Sequence, residues 1–151
     1  MYNCSVKSWT KNYHYEILLA LLTFVFMLIC NRSSSPFNLV AGYDESIFKL
    51  FGLAMVEGRV PLRDYADRKG PYLFFINAIP YLTHTYRFGL FLIQFACTYL
   101  TTLLVFRMIR AVATQKIAFL SLVGMYAFYA IWYSEGSACE SYALLFITLS
   151  L

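Results

Sequence analysis

Phe88–Phe106, FGLFLIQFACTYLTTLLVF, is a run of 19 residues in which Gln94 and three threonines are the polar members besides Tyr99. At 1.5 Å per residue it is about as long as the hydrocarbon layer of a bilayer is thick, so it reads as a spanning helix. The composition extends that reading to the chain: of 151 residues 60% are hydrophobic and 13% charged, where a soluble domain carries about 25% charged. The expected fold is therefore an all-α polytopic membrane protein. Working outward, Arg107, Arg110 and Lys116 follow the run as a basic loop without an acid. Ile117–Tyr133 is a further span, Ser134–Glu140 a short polar loop, and a last apolar element starts at Tyr142. It stops inside an apolar run, so residues 1–151 are read as the N-terminal part of a longer transmembrane domain.

Towards the N-terminus, Tyr15–Asn31 is a first span of 17 residues, preceded by Lys7 and Lys11. Ile29-Cys30-Asn31-Arg32 offers no small-residue cleavage site, which makes the segment an uncleaved anchor. Between the two spans lies a charged island, GYDESIFKLFGLAMVEGRVPLRDYADRKGP, from Gly42 to Pro71. It holds five of the eight carboxylates: Asp44, Glu45, Glu57, Asp64 and Asp67. Lys49, Arg59, Arg63, Arg68 and Lys69 share it, with Arg32 just upstream. Ile47, Leu50, Phe51 and Ala54 recur at i, i+3, i+4 and i+7, so 46–57 is predicted as an amphipathic juxtamembrane helix ended by Gly58. Val60–Lys69 reads as an irregular loop, closed by Gly70-Pro71.

Tyr72–Leu82, YLFFINAIPYL, is too short to span and is interrupted by Asn77 and Pro80. The positive-inside rule supports the same conclusion. If 72–82 does not cross, Lys7 and Lys11 share the inner side with Arg107, Arg110 and Lys116. The island and the second polar loop then lie outside, with seven of the eight carboxylates; Glu16 is the exception. The net charge of +4 reads as loop charge facing headgroups, not as a nucleic-acid footprint. Cys4, Cys30, Cys97 and Cys139 have no CxxC spacing, and His14 and His84 lie far apart, so no metal site is indicated.

The order of these features resembles the GT-C membrane glycosyltransferases, in particular the protein O-mannosyltransferases and the lipid A aminoarabinose transferases. A first span is followed by Asp44-Glu45-Ser46, by Asp67-Arg68-Lys69-Gly70-Pro71, by a span ending in arginines and by an acid in the next outer loop. The aminoarabinose group usually has Pro-Pro after the lysine and often Asp as the later acid. Here Gly70-Pro71 follows Lys69, and that acid is Glu135 or Glu140, spacing favouring Glu140.

The resemblance implies transfer of a sugar from a polyprenyl-phosphate donor to a lipid, glycan or protein acceptor, with inversion and without a cofactor. It also implies an integral protein of a bacterial cytoplasmic (inner) membrane with its site facing the periplasm. Residues 1–151 alone would be inactive. It assigns Asp44 as the base that activates the acceptor hydroxyl, with Glu45 in support. Lys69 and Arg68, with Arg63 as a further candidate, would stabilise the departing phosphate, and Glu140 would be the second-loop acid. Each residue also has a plainer role. Asp44 could cap the helix, Lys69 and Arg68 could snorkel to headgroups, Asp64 could pair with a neighbouring arginine, and Gln94 could bond another helix. Two other functions stay open: a flippase or transporter for a lipid-linked glycan, which charges inside the spans would favour though the spans carry almost none, and a non-catalytic envelope assembly protein.

Overall fold

The structure is a computed structural model that describes residues 13–32, 34–37, 43–65, 67–132 and 139–151. Lys7, Lys11, Gly42 and Glu135, with the loop before Cys139, lie outside the described residues. Six helices follow one another: α1 (Tyr13–Cys30), α2 (Tyr43–Val56), α3 (Pro71–Leu82), α4 (Tyr86–Val112), α5 (Gln115–Trp132) and α6 (Cys139–Ser150). Among the described residues no strand forms, and the only bridge joins Pro61 to Tyr65.

Two of the helices, α1 and α4, are long and apolar enough to cross a membrane. Ile17, Leu21, Val25 and Ile29 of α1 point outward although they are apolar, as residues facing lipid do. Inward, α1 meets α4 and α5 through two clusters of buried side chains. Leu19 joins Phe106, Ala118 and Leu122, and Phe26 and Met27 join Phe91 and Tyr126. Each such side chain removed from water stabilises by about 1.5–3 kcal/mol, a term that shrinks where lipid replaces the water.

Several polar groups inside this bundle pair with one another, as an apolar medium favours. Thr23 Oγ1 lies 2.9 Å from the Tyr126 hydroxyl, which also bonds Thr102. Gln94 Oε1 accepts from Asn31 Nδ2 and from Ser34 Oγ, so Gln94 is a bond between helix α4 and the chain leaving α1.

The contacts fix the helix directions. Asn31 at the end of α1 meets Gln94 in the first half of α4, while Glu16 at the start of α1 meets Arg107 near the end of α4, Oε1 to Nη2 at 3.5 Å. The two long helices are antiparallel, so the chain between them returns to the side from which it left. The twelve residues of α3 rise about 18 Å, well short of a bilayer core. Helix α3 is a short apolar helix between α1 and α4, packed against α2 and α4.

Three boundaries differ from the sequence reading. Helix α4 continues through Arg107 and Arg110, so the basic segment is mostly helix and the turn to α5 is only Ala113 and Thr114. The backbone ladder does not stop where apolar side chains do, and Arg107 finds Glu16 at that end. Helix α2 starts three residues earlier than 46, which puts Asp44 and Glu45 inside its first turn, where the helix dipole favours acids. Helix α6 likewise starts at Cys139, before Tyr142.

Candidate functional site

Helices α2 and α3 pack side by side at the end of the bundle where α1 finishes and α6 begins. Their contact is unusually close at Gly52, where an added Cβ would lie 2.5 Å from the Asn77 carbonyl carbon and 2.7 Å from its oxygen. Phe48, Leu73 and Phe74 fill the seam, joined by Tyr142 of α6. Helix α2 ends where Gly58 (φ 87°) takes the left-handed position: Gly58 N–H donates to Met55 O and Arg59 N–H to Ala54 O, both 3.0 Å.

The loop that follows is pinned to α2 and α3. Tyr65 stacks on Phe51 at 4.7 Å between centroids, and its hydroxyl donates to the Phe51 carbonyl at 3.1 Å. Arg63 holds Asp64 through two hydrogen bonds of 2.8 and 2.9 Å, and Val60 N–H donates to the same carboxylate at 2.8 Å. These bonds, the arginine's first, hold the Asp64 carboxyl down at about 2. The paired role that the sequence allowed for Asp64 is the observed one, and it occupies Arg63.

Asp67 Oδ1 accepts the Lys69 backbone N–H at 2.9 Å, a short turn that sets the lysine's position before Gly70 and Pro71 open α3. Lys69 Nζ then reaches Asp44 Oδ2 of α2 at 3.4 Å and stands 5.3 Å over the Phe48 ring. Thus Asp44 and Lys69, 25 residues apart in sequence, share one site. The pair is open to solvent, with 54% of the Asp44 side chain and 31% of the Lys69 side chain exposed. Such a pair is worth about 0.2–1 kcal/mol, little enough for an anionic ligand to part it.

The other expected residues are distributed differently. Arg68 is exposed beside Lys69. Glu45 is 1% exposed and turned into the protein. Neighbours on a helix diverge by about 100°, so the Glu45 carboxylate and the solvent-facing Asp44 carboxylate look in different directions. Glu45 acts instead on Lys49, one turn on, whose charged form it favours. Glu140 is exposed in the first turn of α6. Tyr142, two residues later, packs with Phe48, the same side chain that Lys69 covers, so α6 starts at the Asp44–Lys69 end. Glu16, alone among the described carboxylates, sits at the far end with Arg107.

The sequence reading missed two features. Gly52 looks like any small residue on an amphipathic helix, and its need to be glycine arises only from α3. Lys49 and Arg87, far apart in sequence, line one cavity of about 250 Å³ between α2, α3 and α4. No pattern of spacing links them.

Among the described residues no three His, Cys, Asp or Glu side chains converge as metal ligands. Comparison of the chain with protein-family models, with curated proteins and with solved structures gives no match.

Proposed function

We propose that the chain is the N-terminal part of a GT-C-type membrane glycosyltransferase that moves a sugar from a polyprenyl-phosphate donor to an acceptor at the membrane face carrying Asp44 and Lys69. The observation that supports it is the 3.4 Å approach of Lys69 Nζ to Asp44 Oδ2 on a solvent-open surface next to the long apolar helices. It joins the residue type that removes a proton to the type that neutralises a phosphate.

In this reading the donor phosphate draws Lys69 away from Asp44, which frees the carboxylate. Asp44 takes the proton of the acceptor hydroxyl as that oxygen attacks the anomeric carbon. The bond from that carbon to the phosphate oxygen breaks, and its electron pair leaves with the phosphate, steadied by Lys69 and by Arg68 beside it. A sugar 1-phosphate is a weak base and needs no acid to depart. One carboxylate acting on the acceptor, with no covalent sugar–protein bond, inverts the anomeric centre. Glu45 supports the site from the inner face of α2, and Glu140 contributes from the start of α6. The active face is then the outer face of a bacterial inner membrane.

The test is Asp44→Asn in the full-length protein, assayed for transfer from a polyprenyl-phosphate sugar. Loss of about 10²–10⁴-fold in kcat is expected for a general base. Transfer at the unchanged rate would sink the assignment. Lys69→Gln should act on donor use, and an unchanged dependence on donor removes Lys69 from the site.

A further inference from the structure

We propose that the cavity lined by Lys49 and Arg87 is a second site, one that binds a phosphate group, separate from the Asp44–Lys69 pair. Lys49 comes from α2, Asn77, Pro80 and Tyr81 from α3, and Tyr86, Arg87 and Leu90 from the start of α4. The Asn77 Oδ1 is buried without a donor among the described residues, so a ligand here has to meet that acceptor as well as the two cations. Lys49 stands five positions after Asp44, ~140° around the helix, so the two sites occupy different faces of α2.

Two cations from separate elements on one small cavity repel each other. Burial lowers the Lys49 pKa, Glu45 raises it and Arg87 lowers it further. Glu45 offsets one of the two charges, and the cavity keeps a net positive charge.

Arg87 is incompletely satisfied. Its Nη2 donates to the Arg32 carbonyl at 3.4 Å, whereas its Nε is buried and has no acceptor. A buried cationic donor without an acceptor is costly, and an anion supplies both the missing acceptor and the missing charge. The first turn of α4, to which Arg87 belongs, adds the positive end of a helix of 27 residues.

The other walls set the class of ligand. At about 250 Å³ the cavity is below the usual range for drug-sized molecules, about 300–1,000 Å³, and suits a phosphate with a few attached atoms. Pro80, Tyr81, Tyr86 and Leu90 make much of its lining apolar, and Tyr86 is also exposed to the outside. A polar anion with an apolar remainder fits such a mouth. The phosphate can belong to a lipid headgroup or be free. The site does not depend on the glycosyltransferase reading.

The experiment uses the whole chain in neutral detergent, titrated with short-chain phosphatidic acid, with phosphatidylcholine of the same chain length and with inorganic phosphate, each followed by thermal unfolding. Phosphatidic acid should raise the midpoint saturably and phosphatidylcholine should not. Lys49→Gln and Arg87→Gln should each weaken the apparent affinity at least tenfold, while Arg63→Gln leaves it unchanged. If Arg87→Gln does not fold, Arg87→Lys keeps the charge and removes the Nε donor, and a several-fold loss is expected. A response to inorganic phosphate that the same substitutions abolish assigns the site to free phosphate; a response to the lipid alone assigns it to a headgroup. No response to either anion, or equal affinity in the wild type and in the Lys49 and Arg87 variants, overturns the proposal.

Discussion

A Cβ placed on Gly52 would stand 2.5 Å from the carbonyl carbon of Asn77 and 2.8 Å from the amide nitrogen of Ala78. Both are backbone atoms and cannot swing aside, so the two helices touch at the limit that hydrogen alone permits. Everything at this end of the molecule rests on that contact: Lys69 precedes α3, and Asp44 opens α2.

Gly52→Ala is therefore expected to destabilise. Alanine gains about 1 kcal/mol in helix propensity, but forced overpacking costs about 1–3 kcal/mol and parts α2 from α3. The net effect should be a lower unfolding midpoint in detergent, together with loss of the Asp44–Lys69 contact. An unchanged or raised midpoint would show that the helices do not meet here.

His84 ends α3 with φ 53°, its N–H donating to Tyr81 O at 3.2 Å while Thr85 N–H donates to Pro80 O at 2.9 Å. That is the turn Gly58 makes at the end of α2, built here on a residue that tolerates it poorly. His84→Gly relieves about 1–2 kcal/mol of left-handed strain and costs about 0.5–1 kcal/mol in chain entropy, a small net gain. His84→Pro fixes φ near −65° and removes the donor, and should destabilise clearly. Thermal unfolding should rank the variants Gly, His, Pro, and Pro above His would refute the assignment.

Asp64 titrates at about 2 because Arg63 and the Val60 amide hold its charged form. Since its folded pKa lies below the unfolded value, its contribution to stability is full above about pH 4 and fades between about 4 and 2 as the carboxylate is protonated. Nuclear magnetic resonance of the Asp64 carboxyl should show this low midpoint, and Arg63→Gln should move it upward. A midpoint near 4 in the wild type would mean that the pair does not form in solution.

Arg68 and Thr114 are both exposed and lie at opposite ends of the antiparallel pair α1 and α4. With each changed to cysteine in a Cys-free background, an impermeant thiol reagent should label them from opposite sides of the membrane. Labelling from one side would show that α4 does not cross.

Much of the architecture was written in local chemistry. The apolar runs around Leu19 and Leu100 announce the two long helices, and the spacing of Ile47, Leu50, Phe51 and Ala54 announces α2 up to the Gly58 stop. The short apolar run 72–82 announced a short helix, and α3 has twelve residues. The end of α4 was less legible, since Arg107 and Arg110 read as the start of a loop while the backbone carried on. The burial of Glu45 beside the exposed Asp44 was not legible, because adjacency in sequence conceals the angle between neighbours on a helix.

What composition and periodicity determined is that this chain is helical, with several apolar segments and a charged island between the first two long ones. Those are properties of single segments, set by transfer free energy and by the 3.6-residue turn. Only the tertiary structure decided that Lys69 meets Asp44, that Glu16 meets Arg107, that Gly52 must lack a side chain, and that Lys49 and Arg87 share one cavity. Such pairings depend on how helices distant in the chain pack against one another, and no local preference encodes them.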